Sequence, residues 1–237
     1  MMLWMLTALV FAHKPFFGPF ASPEAAYQVD PIDVSIVAYQ YITCEENTLW
    51  MRFDGKAGDE LYVQLGVPVI DRLADYRPSV AVFAPGLEPI GESPYLPPVT
   101  LPGQVYTANE SPEDFFEPFT QTESWIWVEE TLVLPEDGEG WIVAWHPENQ
   151  TGKLWLAVGT REDFSDVGFD EFGTWAAYLN DFHEKTGQPN VPVETLCTEP
   201  EEETNSDDAG CVSMTNAPIW LMWPALAVAA RRRASRA

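Results

Sequence analysis

Leu134–Gly159, LPEDGEGWIVAWHPENQTGKLWLAVG, holds the two apolar runs that decide the fold class. It reads as two strands joined by a turn, a hairpin at the centre of the domain: Trp141–Trp145, then Pro147-Glu-Asn-Gln-Thr-Gly152, then Leu154–Val158. In the second run Leu154, Leu156 and Val158 share one face, and Lys153 and Trp155 share the other. In the first run both faces are apolar, Trp141, Val143 and Trp145 against Ile142 and Ala144. A strand apolar on both faces is covered on both sides. This is the signature of a sandwich core rather than of a reaction centre.

The same period of two recurs upstream. Asp33–Tyr41 alternates, and Leu49–Phe53 and Leu61–Leu65 form a second hairpin candidate across the turn Gly55-Lys-Ala-Gly-Asp59. Ser79–Phe83 and Trp125–Leu134 are further strands. Between them, residues 84–112 contain seven prolines and read as a loop, either a surface excursion or a binding loop. In Phe169–Lys185 the spacing becomes helical: Phe169, Phe172, Trp175, Ala176, Leu179 and Phe182 lie on one face, with Gly187 as a stop. The expected fold is therefore mainly β, an antiparallel β-sandwich of jelly-roll type with one short amphipathic helix near 169–186. An arm, residues 13–30, precedes the sandwich of residues 31–165, and Phe16, Phe17 and Phe20 in it are expected to pack across the body. The helix and a return segment, 166–197, complete the domain.

The formal charge is −25 over 237 residues. Four of the twelve basic residues lie at the extreme C-terminus, so residues 13–210 carry eight basic against 37 acidic side chains, a formal −29. Nucleic acid is excluded as a partner, because its binding rests on Lys and Arg neutralising phosphates. Solubility in salty water, calcium or a cationic ligand all suit such a body.

Both ends look like export signals. MMLWMLTALVFA, residues 1–12, resembles the apolar part of a signal peptide, with cleavage after Ala12 or, further on, after Ala21. It lacks the usual basic start, and the alternative is a short buried segment. Residues 198–210 are an acidic spacer. Beyond Cys211 comes the apolar run Ala217–Ala230, interrupted by Pro224 and followed by Arg231-Arg-Arg233. Fourteen helical residues span only about 21 Å against a hydrocarbon core of about 30 Å. The flanking charges orient the body outside and the tail inside.

Gly210-Cys211, the apolar run and the arginine cluster resemble the C-terminal sorting tails of myxobacterial and related surface proteins, over residues 211–237. That resemblance implies a sorting protease or membrane-anchoring machinery as partner, and Cys211 as the lipid or surface attachment. An ordinary single-span anchor is the alternative. Residues 50–159 resemble the bacterial pre-peptidase C-terminal type of β-sandwich. The matching runs are Phe53-Asp-Gly-Lys-Ala-Gly-Asp-Glu-Leu-Tyr-Val, Ser79-Val-Ala-Val-Phe-Ala-Pro-Gly, Leu134-Pro-Glu-Asp-Gly through Trp141-Ile-Val, and Thr151-Gly-Lys-Leu-Trp-Leu-Ala-Val. This implies a non-catalytic accessory or surface module and transfers no catalytic residue. With Cys211 as the anchor, Cys44 and Cys197 are left as the disulfide; the competing pair is Cys197–Cys211.

Chemistry-bearing motifs are few. His13, His146 and His183 have no metal-binding spacing, no phosphate-cradling loop or nucleophile elbow is present, and the many carboxylates single out no catalytic pair. No enzyme activity, cofactor or fixed metal site is expected. Three weaker readings stand beside that one. Cleavage after Ala12 makes His13 an N-terminus able, with His146, to hold copper. Asp163, Asp166, Asp170 and Glu171 offer oxygens to calcium. Trp50, Trp127 and Trp155, if outward, form a platform for a glycan or a protein ligand. The expected protein is an exported, surface-anchored binding or structural module.

Overall fold

A computed structural model describes residues 13–185, 187, 196 and 197. All belong to one compact unit, Met1–Glu199. The segments read as a signal peptide (1–12), an acidic spacer (198–210) and a sorting tail with Cys211 (211–237) lie outside the described residues. The chain forms β1 (Lys14–Phe17), β2 (Tyr27–Val29), β3 (Ile36–Ile42), β4 (Thr48–Gly55), β5 (Glu60–Pro68) and β6 (Ser79–Phe83). It continues through β7 (Gly103–Thr107), β8 (Glu113–Glu117), β9 (Thr122–Val133), β10 (Gly138–Trp145), β11 (Gly152–Val158) and α1 (Phe169–Phe182). Two sheets face each other, a six-stranded one ordered β1-β3-β11-β5-β9-β8 and a five-stranded one ordered β2-β4-β10-β6-β7. We refer to them as sheet A and sheet B.

The fold is the expected mainly-β sandwich with one helix, but its sheets are mixed. The arm supplies two parallel edge pairings, β1 on β3 (Lys14 opposite Ile36) and β2 on β4 (Tyr27 opposite Met51); all other strand pairs are antiparallel. Neither expected hairpin forms. β10 pairs with β4 and β6 in sheet B, whereas β11 pairs with β3 and β5 in sheet A. Likewise β4 and β5 belong to different sheets. Each connection arches across the sandwich, so that every one of these strands has a neighbour on both sides of it. The physical reason is burial: strands apolar on both faces need cover above and below as well as on both edges.

That cover forms three apolar layers, one between the sheets and one on the outer face of each. Leu154, Leu156 and Val158 meet Leu49, Met51, Phe53, Ile142 and Ala144 in the dry space between the sheets. On the outer face of sheet B, Trp141, Val143 and Trp145 pack with Trp50, Ala81 and Phe83 beneath Tyr95 and Leu101. The proline-rich segment is therefore a cover over sheet B, and its last part is not a loop but β7, paired along β6 from Gly103 opposite Phe83 to Thr107 opposite Ser79. On the outer face of sheet A, Val37, Ile126, Trp155 and Ala157 pack against Phe182 of α1. Phe16 and Phe20 of the arm join the inter-sheet core, and Phe17 stacks on Tyr178, with ring centroids 3.7 Å apart.

The three tryptophans weighed as an outward platform are buried: Trp50 is 3%, Trp127 1% and Trp155 4% exposed. Each lies under the covering layers or, for Trp127, against Leu73 and Tyr76 with the Arg77 guanidinium 4.7 Å from its ring. No exposed platform exists at these three positions. Cys44 and Cys197 are joined in a disulfide, their Cα atoms 5.4 Å apart, and Cys197 N–H donates to the Asn149 carbonyl.

A candidate ligand pocket between sheet A and the helix

β11 and its neighbours lay the floor of a cavity of about 270 Å³ beneath α1. Trp155 and Ala157 come from β11, Val37 and Tyr39 from β3, Ser124 from β9 and Phe115 from β8. Alternation along each strand puts these residues on the outer face, opposite the inter-sheet core. Trp155 can lie flat across the sheet because its neighbour on β5 is Gly66: a Cβ there would stand 2.1 Å from the indole Cζ2. The roof is the helix face that periodicity marked, with Phe172, Trp175 and Leu179. An aromatic cluster forms the rim, with Phe172 against Phe119, Phe164 and Trp175 at centroid distances of 5.7, 6.2 and 5.3 Å.

The helix is fixed over this floor at both ends. Glu171 accepts from the Gly168 N–H at 3.1 Å, which caps the N-terminus. At the other end Lys153, fully buried, donates to the Phe182 carbonyl at 2.7 Å and pairs with Glu184 at 2.8 Å. Arg72 grips the same Glu184 carboxylate through both of its terminal nitrogens. Burial pulls the Lys153 ammonium below the ordinary lysine range despite the attraction of Glu184. Glu184, also desolvated, is nonetheless held below the usual glutamate value by Arg72 and Lys153.

Few polar groups interrupt the apolar wall. The Trp155 indole N–H donates to Ser124 Oγ at 3.1 Å, and Ser124 Oγ lies 3.2 Å from His183 Nε2. His183 Nδ1 lies 2.8 Å from the Leu179 carbonyl, an acceptor, so we assign the proton to Nδ1 and the lone pair to Nε2. Burial pushes the His183 pKa down to about 4, leaving a neutral imidazole at pH 7. His13, at the start of the arm, has its pKa pushed to about 4 by the same cause, and its Nε2 is buried with no hydrogen-bond partner. Glu117 also lines the cavity; burial raises its carboxyl above the usual range, and the nearby charge of Glu162 adds to the rise. Phe119 N–H donates to Glu117 at 2.9 Å. A second hollow of about 370 Å³ shares His13, Gln64 and Phe115 and adds Glu113 and Glu129.

The sequence pointed to His13 with His146, and the structure separates them. His13 precedes Lys14, which sits opposite Ile36 at one end of β3; His146 leads toward Gly152, opposite Ile42 at the other. Six residues of strand are about 20 Å. His146 packs on Tyr76, centroids 4.5 Å apart, and its Nδ1 accepts from the Glu148 and Gln150 N–H groups. The residue that shares a cavity with His13 is His183. The acidic cluster is likewise dispersed into ion pairs: Asp163 binds Arg161 and Ser165, Asp166 binds Lys14 at 2.5 Å, and Glu171 caps the helix. Among the described residues, no three His, Cys, Asp or Glu side chains are grouped to hold a metal ion.

No family model matches the chain, so its resemblance to the pre-peptidase type of sandwich rests on the quoted residues alone. No curated protein matches it either. Among solved structures, CorA of Methylomicrobium album BG8, described as a surface-associated copper-binding protein important in copper acquisition, is similar at a TM-score of 0.31 and 9% identity. The match covers 57% of this chain and 98% of that one, and a likeness of this degree carries no functional argument.

Proposed function

We propose that this chain is an exported, non-catalytic β-sandwich module that binds a small, largely apolar ligand between sheet A and α1. The observation that carries the reading is the cavity itself: about 270 Å³, walled by aromatic side chains from three strands and the helix, with one buried imidazole nitrogen of His13 left without a partner. Pockets of this make-up, apolar with a few convergent polar groups, are ligand sites. Disulfides persist outside reducing cytosol, and Cys44–Cys197 suits export. The tail, residues 211–237, would then hold the module at the cell surface.

The test is a titration of the full chain with 4-phenylbutanol, followed by tryptophan fluorescence and calorimetry. Saturable binding at one site, lost in the Phe172→Ala/Trp175→Ala double variant, is expected. Absence of saturable binding, or binding untouched by that variant, refutes the pocket.

A second reading is favoured by the two neutral imidazoles lining one cavity. Cleavage after Ala12 would give His13 a free amine, and with His183 in place of His146 it would bind copper, which prefers nitrogen ligands. Spin resonance of the processed chain titrated with Cu(II) tests it: a nitrogen-rich signal lost in His183→Gln supports it, and N-terminal sequencing that starts anywhere but His13 removes it.

A further inference from the structure

We infer that the pocket selects an organic ammonium ion, an amine with an apolar body, over neutral or anionic ligands of the same shape. This rests on the pocket reading above and adds the charge of its occupant.

Three observations converge. First, the cavity has two carboxylates, Glu117 and Glu162, and not one Lys or Arg among its lining residues; the hollow that continues it adds Glu113 and Glu129, again without a basic group. Secondly, both histidines that line it are neutral at pH 7, so neither imidazole offsets Glu117. Elsewhere in this chain acidic side chains near the site are already paired, Asp166 with Lys14, Asp33 and Asp163 with Arg161. Glu117 differs: it accepts a hydrogen bond from the Phe119 backbone N–H, and it sits desolvated beside a like charge. Thirdly, the rim is aromatic. Phe119, Phe164, Phe172 and Trp175 line the cavity as one cluster of rings, and aromatic faces attract cations through their quadrupoles.

A bound ammonium would place its charge between Glu117 and these rings, while its apolar body lies on Trp155 and Val37. A carboxylate ligand would meet a field of its own sign. An alcohol would be tolerated, since the aromatic wall and the His13 Nε2 remain, but would leave Glu117 uncompensated. The net charge of the chain, −25, attracts cations from solution and acts in the same direction.

The experiment compares three probes of one shape at pH 7 on the full chain: 4-phenylbutylamine (cation), 4-phenylbutanol (neutral) and 4-phenylbutyrate (anion). The amine should bind about tenfold or more tightly than the alcohol, and the butyrate should not bind measurably; in Glu117→Gln the amine's advantage over the alcohol should shrink about tenfold. Equal affinity for amine and alcohol overturns the inference and leaves the pocket reading intact. Binding of none of the three overturns both. An amine preference that survives both Glu117→Gln and Glu162→Gln places the cation elsewhere and also overturns it. Retained alcohol binding by each variant shows that the variant is folded.

Discussion

Replacing Glu184 with Gln should destabilise the protein through a residue it does not alter, Lys153. The carboxylate serves two cations of unequal freedom. Arg72 is 24% exposed at its side chain and can turn to water, whereas Lys153 is fully buried and cannot. Gln keeps the shape and suits the same backbone, which at Glu184 is left-handed with φ 54°, so strain does not change. What is lost is the charge opposite a buried ammonium that burial already disfavours. Removing one partner of a buried pair costs about 3–5 kcal/mol, and the Gln amide oxygen can still accept, which puts the expectation near 3 kcal/mol. The remedy follows from the same cause: adding Lys153→Met removes the stranded charge, keeps an unbranched side chain of similar length, and should restore at least half of the loss. The pH dependence has a definite sign. Without Glu184 the folded-state pKa of Lys153 falls further below its unfolded value, the unfolded chain binds more protons between the two, and the variant regains stability as pH rises toward 10. Urea unfolding followed by tryptophan fluorescence at pH 7 and pH 9.5 measures all three quantities. A Glu184→Gln chain within 1 kcal/mol of the parent, or a double variant no better than the single one, would refute the reasoning.

Two further outcomes are expected. His183 is neutral in the fold, with a pKa near 4 against 6.5 when unfolded, so its contribution is complete above pH 6.5 and is lost as pH falls from there toward 4. The full shift is worth about 3 kcal/mol, and unfolding free energies at half-unit steps should show that slope in the parent and a shallower one in His183→Gln. The Cys44–Cys197 disulfide spans 153 residues, for which the chain-entropy estimate is about 5 kcal/mol. Melting of the Cys44→Ser/Cys197→Ser variant beside the parent checks this, and a loss below 1 kcal/mol would show that the reduced chain is already constrained in its unfolded state.

Strands were legible in the sequence because burial on a pleated sheet repeats every two residues, and Ser79–Phe83 has the bounds read from alternation alone. Partnership was not. A hairpin and an arch between sheets both need a turn flanked by alternating runs, and the Gly55–Asp59 and Pro147–Gly152 turns look alike in either role. The telling feature was the double-sided apolarity of Trp141–Trp145, which demanded neighbours on both edges and cover on both faces. The tryptophans follow from the same roofing: the outer faces of both sheets are covered, by the proline-rich segment and by α1, so Trp50 and Trp155 face outward from the sandwich and are still buried. β7 was hidden by the seven prolines around it, although none falls within Gly103–Thr107. In the pocket, the apolar helix face was visible from its spacing. His183 was not, since its meaning depends on Ser124, 59 residues away in sequence.

The arches between sheets also set an order of events during folding. Ile36–Ile42 of β3 waits for Gly152–Val158, and Thr48–Gly55 of β4 waits for Gly138–Trp145, so the middle of either sheet is open until the far end of the domain has been made. A nascent chain cut short before Gly152 would hold β3 and β5 with nothing between them, two unpaired edges rather than half a protein. Such distant pairings place folding among the slow, millisecond-to-second class and favour its completion after the whole domain has left the ribosome or the export channel.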